Sequence, residues 1–170
     1  RQMGHHLSGY GFQEIITYSL TGRDMLQRLS PEAHLQESIL LRVANPMTVE
    51  QEYLRPNLRP NLLAALAANR RYQDDGIRFF EIGKIYLPRS GDLPDERDTL
   101  CGLLTGPGLE KSWQGDGEMP DFFEAKGIVE SLLRQLGVTA GFEESSDESL
   151  NSTNRAAVVV GGNRLGVVGE

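Results

Sequence analysis

Cysteine and long hydrophobic runs are scarce in this sequence of 170 residues. The single cysteine, Cys101, cannot form a disulfide within the chain, so the composition suits a reducing compartment. No apolar stretch approaches the roughly 20 residues that span a bilayer, and the start, "RQMGHHLSGYGF", lacks the apolar core of a signal peptide. We therefore expect a cytoplasmic protein. The chain also begins without methionine and stops in the strand-like run "LGVVGE", which predicts an excised part of a longer chain.

Residues that could bind a metal and basic residues are also few. His5 and His6 are adjacent, His34 stands alone in a polar stretch, and no cysteine lies at the spacing of a zinc ligand, so we expect no metal site. The 24 acidic residues outnumber 17 basic ones and give a formal net charge of -7. That balance argues against a domain whose main task is to bind a phosphate backbone.

Motifs that carry catalysis or cofactor binding do not emerge from residue spacing. The glycine-containing stretches "GPGLEKS" and "GGNRLG" lack the GxxxxGK[ST] spacing that cradles phosphates, and no serine lies in a GxSxG elbow. Cys101 lies in the apolar run "TLCGLLTG", which favours a small buried side chain over a nucleophile. For Trp113, a position covering the edge of the core is favoured over an anchor for a partner. Spacing alone predicts no catalytic, cofactor-binding or metal residue.

Apolar patterns and turn residues predict a single α+β domain over residues 1–170. The expected strands are 11–20, 38–46, 77–86 and 99–106, with an exposed loop at 87–97, an acidic loop or strand edge at 142–149, and a hairpin around "GGN" near the end. Because of that hairpin character, an antiparallel or mixed sheet flanked by helices is favoured over a parallel, doubly wound sheet.

Two helices are marked by their ends and by helical spacing. Asp121 is placed to cap the clearer one, Glu124 follows three residues later, and Gly137 stops it. Its apolar side chains keep helical spacing, so we expect one face to pack on a sheet. The alanine-rich stretch 61–73 predicts another helix, with Pro60 in its first turn.

Polar and basic residues at helix ends give three further predictions. Thr21 is placed to cap a short helix through "GRDMLQRL", and Thr48 with Gln51 has the spacing of a capping box. Arg70 and Arg71 end the alanine-rich helix, where cations suit the helix dipole. A solvated, stabilising role for these two arginines is favoured, and a contact with RNA is the alternative.

Five sequence blocks, in order, carry a specific resemblance. They are "GFQEIITYSL", "VANPMTVEQEYLRPNLRPNLLAALAANRR", "IRFFEIGKIY", "LCGLLTGP" and "DFFEAKGIVESLLRQLG". Together they resemble the β subunit of bacterial phenylalanyl-tRNA synthetase over nearly the whole chain. The resemblance implies a fold similar to the catalytic core of class II aminoacyl-tRNA synthetases, an antiparallel sheet with flanking helices.

The resemblance also implies a structural signature and a place where this chain departs from the family. The signature residues are Asn45, Pro46, Leu54, Arg55, Glu81 and Gly83. Many relatives read LRxSLLPGLL where this chain reads "LRPNLRPNLL", with Pro56 and Arg59. The family's metal-associated and anticodon-binding residues lie outside the matched region, so the resemblance assigns none here.

In that family the α subunit carries adenylation and aminoacyl transfer. The resemblance therefore implies a catalytic-like but inactive module that binds no cofactor itself and helps to assemble an α2β2 enzyme. The parent enzyme is expected to use ATP and magnesium, to charge tRNA with phenylalanine, and to be the partner through which the chain is associated with tRNA.

Two alternatives compete with the assembly module. An active adenylating domain would need arginines for the phosphates of ATP, whereas the strand 77–86 offers Gly83 and Lys84, and Arg164 lies in a hairpin. An RNA-binding module would use Arg70, Arg71 and Arg155, against the acidic balance of the chain.

Glu81 stands inside "IRFFEIGKIY", a run that otherwise resembles a buried strand. A carboxylate is rarely buried unless it is paired or hydrogen-bonded, so the position requires a partner. We predict that Glu81 accepts hydrogen bonds from backbone amides or pairs with an arginine such as Arg55, while Gly83 permits a close approach of the backbone.

Overall fold

The computed structural model describes residues 2–29, 40–72, 76–107 and 119–170, so His34 and Trp113 lie outside the described residues. The elements are α1 (Gln2–Gly9), β1 (Gln13–Glu14), β2 (Leu20–Thr21), α2 (Arg23–Leu29), β3 (Leu41–Arg42), a 3-10 helix (Val49–Gln51), β4 (Tyr53–Leu54), α3 (Arg59–Asn69), β5 (Ile77–Leu87), β6 (Asp95–Thr105), α4 (Phe122–Gln135), β7 (Gly141–Glu144), β8 (Arg155–Val160) and β9 (Asn163–Gly169). Among the described residues, no helix has the length and apolar character needed to cross a membrane.

Two compact units divide the chain. The first comprises residues 1–12, 75–77 and 104–170, and the second comprises residues 13–74 and 78–103. The single domain expected from the sequence stays a prediction.

An antiparallel sheet of strand order β7-β8-β9 forms the first unit's framework. The turn between β8 and β9 contains Gly161 and Gly162, whose φ angles are 56° and 81°. Two consecutive positive φ angles suit glycine and the tight turns of hairpins, so the predicted hairpin is confirmed. The acidic stretch 142–149 begins as the edge strand β7, which was one of its two predicted forms.

Helix α4 packs against this sheet, as predicted. The Asp121 carboxylate accepts a hydrogen bond from the Glu124 backbone N–H at 2.8 Å, and Gly137 adopts a φ of 74° just beyond the helix. Both predicted end signals are therefore confirmed. The shared core contains Leu133, Ala156, Val158 and Val168, with Phe122, Ala125, Val129, Val138, Ala140 and Phe142 packed around them.

Two small sheets build the second unit. One has the order β1-β5-β6, with Gln13 and Glu14 paired in parallel with Phe79 and Phe80 of β5. The other, β2-β4-β3, is antiparallel. The mixed strand directions agree with the predicted fold class, and the predicted strand 77–86 is confirmed as β5.

The strand predicted over residues 11–20 is wrong in its middle. Only Gln13–Glu14 and Leu20–Thr21 are in strands, and they belong to different sheets. Ile15 still donates its N–H to the Phe80 carbonyl of β5 at 2.8 Å, but the backbone of Thr17 and Tyr18 bonds to the buried side chains of Glu81 and Asn61 instead of to a neighbouring strand. Likewise, the strand predicted over 38–46 is limited among its described residues to Leu41–Arg42.

Two predicted caps are also wrong. Thr21 lies in β2, and its hydroxyl donates to Met25 Sδ at 3.5 Å, while α2 begins at Arg23. Thr48 precedes only a 3-10 helix and makes no side-chain capping bond to it. The pKa of the Glu50 carboxyl is lowered chiefly by its backbone N–H and further by the Thr48 hydroxyl.

Two boundaries differ from the sequence prediction. β6 begins at Asp95, so the strand predicted from residue 99 starts earlier and takes in the end of the predicted loop. Helix α3 runs over Arg59–Asn69, with Pro60 in its first turn as predicted.

The Asp121 cap should contribute measurably to the stability of the first unit. We expect Asp121→Ala to lower the free energy of unfolding by about 1 kcal/mol, because an orphan backbone N–H at the start of α4 loses its acceptor. Asp121→Asn keeps an acceptor oxygen and serves as the matched control, with a clearly smaller effect in urea denaturation. Equal losses for the two variants would contradict the capping role.

Candidate functional site

A buried ion pair joins Arg55 and Glu81 in the second unit. Nη1 of Arg55 donates to Oε1 of Glu81 at 2.7 Å, and the side chains are only 4% and 2% exposed. Arg55 directly follows β4, and Glu81 lies in the middle of β5. The predicted pairing of Glu81 with Arg55 is therefore confirmed.

Thr17 completes the surroundings of the Glu81 carboxylate. Its hydroxyl donates to Oε2 at 2.7 Å, and its backbone N–H donates to Oε1 at 3.3 Å. The same hydroxyl oxygen accepts from Nη1 of Arg55 at 3.0 Å. Both carboxylate oxygens thus have donors, which is the condition for keeping a charge away from water.

Arg55 also binds backbone atoms on two sides. Its Nε donates to the Lys84 carbonyl oxygen at 2.8 Å, while its own N–H donates to the Ser19 carbonyl at 2.9 Å. The Tyr86 N–H donates to the Arg55 carbonyl at 3.0 Å. A single residue therefore links the segment before β2 to the middle of β5.

Gly83 leaves the room that the arginine occupies. A Cβ at this position would overlap Nη2 of Arg55 and would lie 3.1 Å from Oε1 of Glu81. Any side chain at residue 83 must displace a guanidinium that is fixed by several hydrogen bonds. This confirms that Gly83 permits close approach, here of the Arg55 side chain to the β5 backbone.

The segment between β1 and β2 alternates between inward and outward side chains. Thr17 turns in toward the ion pair, whereas Ile16 is 91% exposed and Tyr18 is 77% exposed. Asn61 of α3 donates to the Tyr18 carbonyl at 2.7 Å, which holds the segment from the other side. Sequence reasoning missed Thr17 and Asn61. In the sequence, each is only a polar residue at a position that turns out to face inward, and the residues to which they bond lie far away in the chain.

The other signature residues occupy different surroundings. Asn45 and Pro46 lie in an exposed turn between β3 and the 3-10 helix. Leu54 is paired in β4 with Leu20 and Leu41. Their part in a family signature stays a prediction.

The arginines considered for RNA binding differ from one another. Arg70 and Arg71 are exposed at the end of α3. By contrast, Nη1 of Arg155 donates to the Asp147 carbonyl at 2.7 Å and to the Leu150 carbonyl at 3.4 Å. Arg155 therefore holds a loop of its own unit.

Among the described residues, the titratable groups near the pair do not form a reactive centre. Burial raises the pKa of the Cys101 thiol to about 11, with Arg59 opposing the shift, so the thiol is protonated at neutral pH. The pKa of Lys84 is raised because its ammonium bonds to Glu96. In the described ranges, no three histidine, cysteine or acidic side chains are grouped closely enough to hold a metal ion.

The contacts of Glu81 suit a structural role, in which the side chain holds backbone segments together. General acid–base catalysis requires a group that can reach a substrate proton, and Glu81 is covered and bonded on both oxygens. Arg55 is equally covered. The arrangement can fix three backbone segments relative to one another.

Comparisons with known proteins agree with the sequence blocks. The family model described as "Phenylalanyl tRNA synthetase beta chain CLM domain" matches residues 1–170. A phenylalanine–tRNA ligase beta subunit of Dehalococcoides mccartyi is 47% identical over 164 residues, which cover 96% of this chain and 20% of that protein. One from Bacillus thuringiensis is 35% identical over the whole chain and 21% of its own length. The chain thus spans about a fifth of these relatives. The family inferred from the sequence is confirmed.

Solved structures carry the same fold. Pyrrolysyl-tRNA synthetase from Desulfitobacterium hafniense superposes with a TM-score of 0.70 at 21% identity, covering 96% of this chain and 55% of that one. A second structure of that synthetase gives a TM-score of 0.66 at 21% identity, covering 96% of this chain and 52% of that one. The predicted α+β, class II synthetase-like fold is confirmed.

The buried pair and an exposed pair on the same strand give a matched stability test. We expect Glu81→Gln to lower the free energy of unfolding by about 3–5 kcal/mol, because Arg55 is left buried without its counter-charge. The control Lys84→Met removes an exposed pair with Glu96 and should change stability little in the same denaturation experiment. Similar losses for both variants would show that burial does not govern the contribution of the pair.

Proposed function

This chain belongs to the family of phenylalanyl-tRNA synthetase β-chain CLM domains, and on that premise we propose that it is a non-catalytic assembly module. In this proposal it supports an α2β2 enzyme that attaches phenylalanine to its tRNA with ATP. The active chemistry lies on the α subunit. ATP and magnesium are cofactors of the parent enzyme, whose setting is the cytoplasm.

The observation that carries the proposal is the enclosure of the Arg55–Glu81 pair. An adenylating site needs cations that face developing charge on a phosphate. Here Arg55, which pairs with a residue in the middle of β5, is 4% exposed and donates to Glu81, Thr17 and the Lys84 carbonyl. A side chain held in this way supports a structural role.

Three cations along β5, β6 and their joining loop do not fit a triphosphate either. Lys84 pairs with Glu96 at 3.1 Å, and Arg97 pairs with Asp95 at 2.6 Å. Arg89 lies 3.8 Å from both Asp92 and Asp95. Carboxylates beside each cation would repel phosphate oxygens. No step of the reaction is therefore assigned to these residues.

Exposed apolar side chains support the assembly part of the proposal. In the second unit, Ile16, Tyr18, Met47 and Val49 are each at least 75% exposed. Large exposed apolar side chains become favourable when another protein covers them. Ile16 and Tyr18 are the best anchors, because the buried pair holds the backbone between them. We therefore propose that they face the α subunit.

Charge placed at this segment should impair assembly. We expect the double variant Ile16→Asp/Tyr18→Asp of the full-length β subunit to lose most of the α2β2 species in sedimentation velocity with the α subunit. Desolvating two carboxylates at an apolar contact is strongly unfavourable. Leu93→Asp, at a 79% exposed position in the loop between β5 and β6, is the control and should leave assembly unchanged.

Two outcomes would contradict parts of this proposal. Normal tetramer formation by the double variant would remove residues 16–18 from the interface. Failure of the unaltered β subunit to bind α would refute the assembly role itself.

A further inference from the structure

Three consecutive side chains project from the end of α3. Arg70 and Arg71 are exposed, and the following Tyr72 is 88% exposed. Sequence reasoning singled out the two arginines but not the tyrosine. Core packing does not require a large aromatic ring to be left in water directly after two exposed arginines.

Most cations of the second unit have protein acceptors. Arg42 pairs with Glu52, and the cations at 55, 84, 89 and 97 all bond to carboxylates. Within the described ranges, Arg70 and Arg71 have neither a hydrogen bond from their side chains nor an ion pair. Two adjacent guanidinium groups place two positive charges at one exposed point of a chain whose net charge is -7, and the nearest acidic residues in the sequence, Asp74 and Asp75, lie outside the described residues.

The backbone under this patch is fixed. The Arg70 N–H donates to the Leu66 carbonyl at 2.9 Å, and the Tyr72 N–H donates to the Asn69 carbonyl at 2.9 Å. The Asn69 side chain also donates to the Ala65 carbonyl at 2.8 Å. The helix end and its final turn therefore present the three side chains from an ordered backbone, which lowers the entropy lost on binding.

We propose that Arg70, Arg71 and Tyr72 form an RNA contact, which we name the α3 corner. Guanidinium groups bind phosphate oxygens bidentately, and an exposed aromatic face stacks on an unpaired base. The occupant is tRNA, with two backbone phosphates on the arginines and one unstacked base on Tyr72. This inference rests on the proposed function, which supplies the tRNA.

A different role follows from the helix dipole alone. Cations beside the last turn of a helix interact favourably with its carbonyl end and stabilise the helix without binding anything. In that role Tyr72 has no part, and removing the two arginines should change thermal stability without changing RNA affinity. The two roles therefore separate in one set of variants.

The test uses the full-length β subunit assembled with α and measures tRNA dissociation constants by filter binding over a range of salt concentrations. Each phosphate contact contributes about 0.7 (single-stranded) to 0.9 (duplex) to the slope of log affinity against log salt. We expect Arg70→Ala/Arg71→Ala to reduce the slope by about 1.4–1.8. Arg70→Lys/Arg71→Lys retains both charges and should keep the slope.

The matched control is Arg28→Ala/Arg164→Ala, which removes the same net charge from two exposed positions in α2 and β9. It should leave the slope unchanged, since a local contact depends on position and not on total charge. An equal reduction in this control would mean that net charge alone acts, and it would overturn the proposal.

Tyr72 gives an independent readout. Tyr72→Ala should weaken tRNA binding by about five- to 150-fold at constant salt, because a stacked base loses its platform. Tyr72→Phe keeps the ring and should bind as the unaltered enzyme does.

Two results would overturn the proposal that the α3 corner binds tRNA. One is unchanged tRNA affinity in Tyr72→Ala, and the other is a lower melting temperature with an unchanged salt slope in Arg70→Ala/Arg71→Ala. Failure of the unaltered enzyme to bind tRNA would instead refute the proposed function on which it rests.

Discussion

The ion pair between Arg55 and Glu81 is the constraint on which the second unit depends. Removing two charges from water is costly, and attraction between them compensates only when the remaining donors and acceptors are also satisfied. Thr17 and the Lys84 carbonyl meet that condition here. The chain between β1 and β2 lies in neither sheet, and its path is held by these bonds together with Asn61.

This constraint explains a carboxylate in the middle of a strand without assigning it a reaction. Deleting either charge would leave the other buried and uncompensated, so the two positions depend on each other. Gly83 depends on both, since its missing side chain makes room for the guanidinium. The shared architecture with a pyrrolysyl-tRNA synthetase at 21% identity shows the fold alone. The function must be argued from the site, and this site holds backbone segments in place.

The sequence predicts well those features whose causes lie within a few residues. Asp121 and Gly137 delimit α4, and two adjacent glycines define the last hairpin, because caps and turns are local chemistry. The strand predicted over residues 11–20 fails because Thr17 bonds to Glu81, which is 64 positions away. No pattern of neighbouring residues in the sequence indicates a partner so far away. The pairing of Glu81 itself was predictable, since burial of a carboxylate demands one.

We propose that the buried pair shapes the module and takes no part in catalysis. The most direct test of this proposal is aminoacylation by an α2β2 enzyme that carries Glu81→Gln in the full-length β subunit, with kcat/KM expressed per assembled tetramer. We expect a value close to that of the unaltered enzyme, even though less tetramer is recovered. A loss of roughly 10²–10⁴-fold per tetramer, the range expected when a general acid or base is removed, would contradict it.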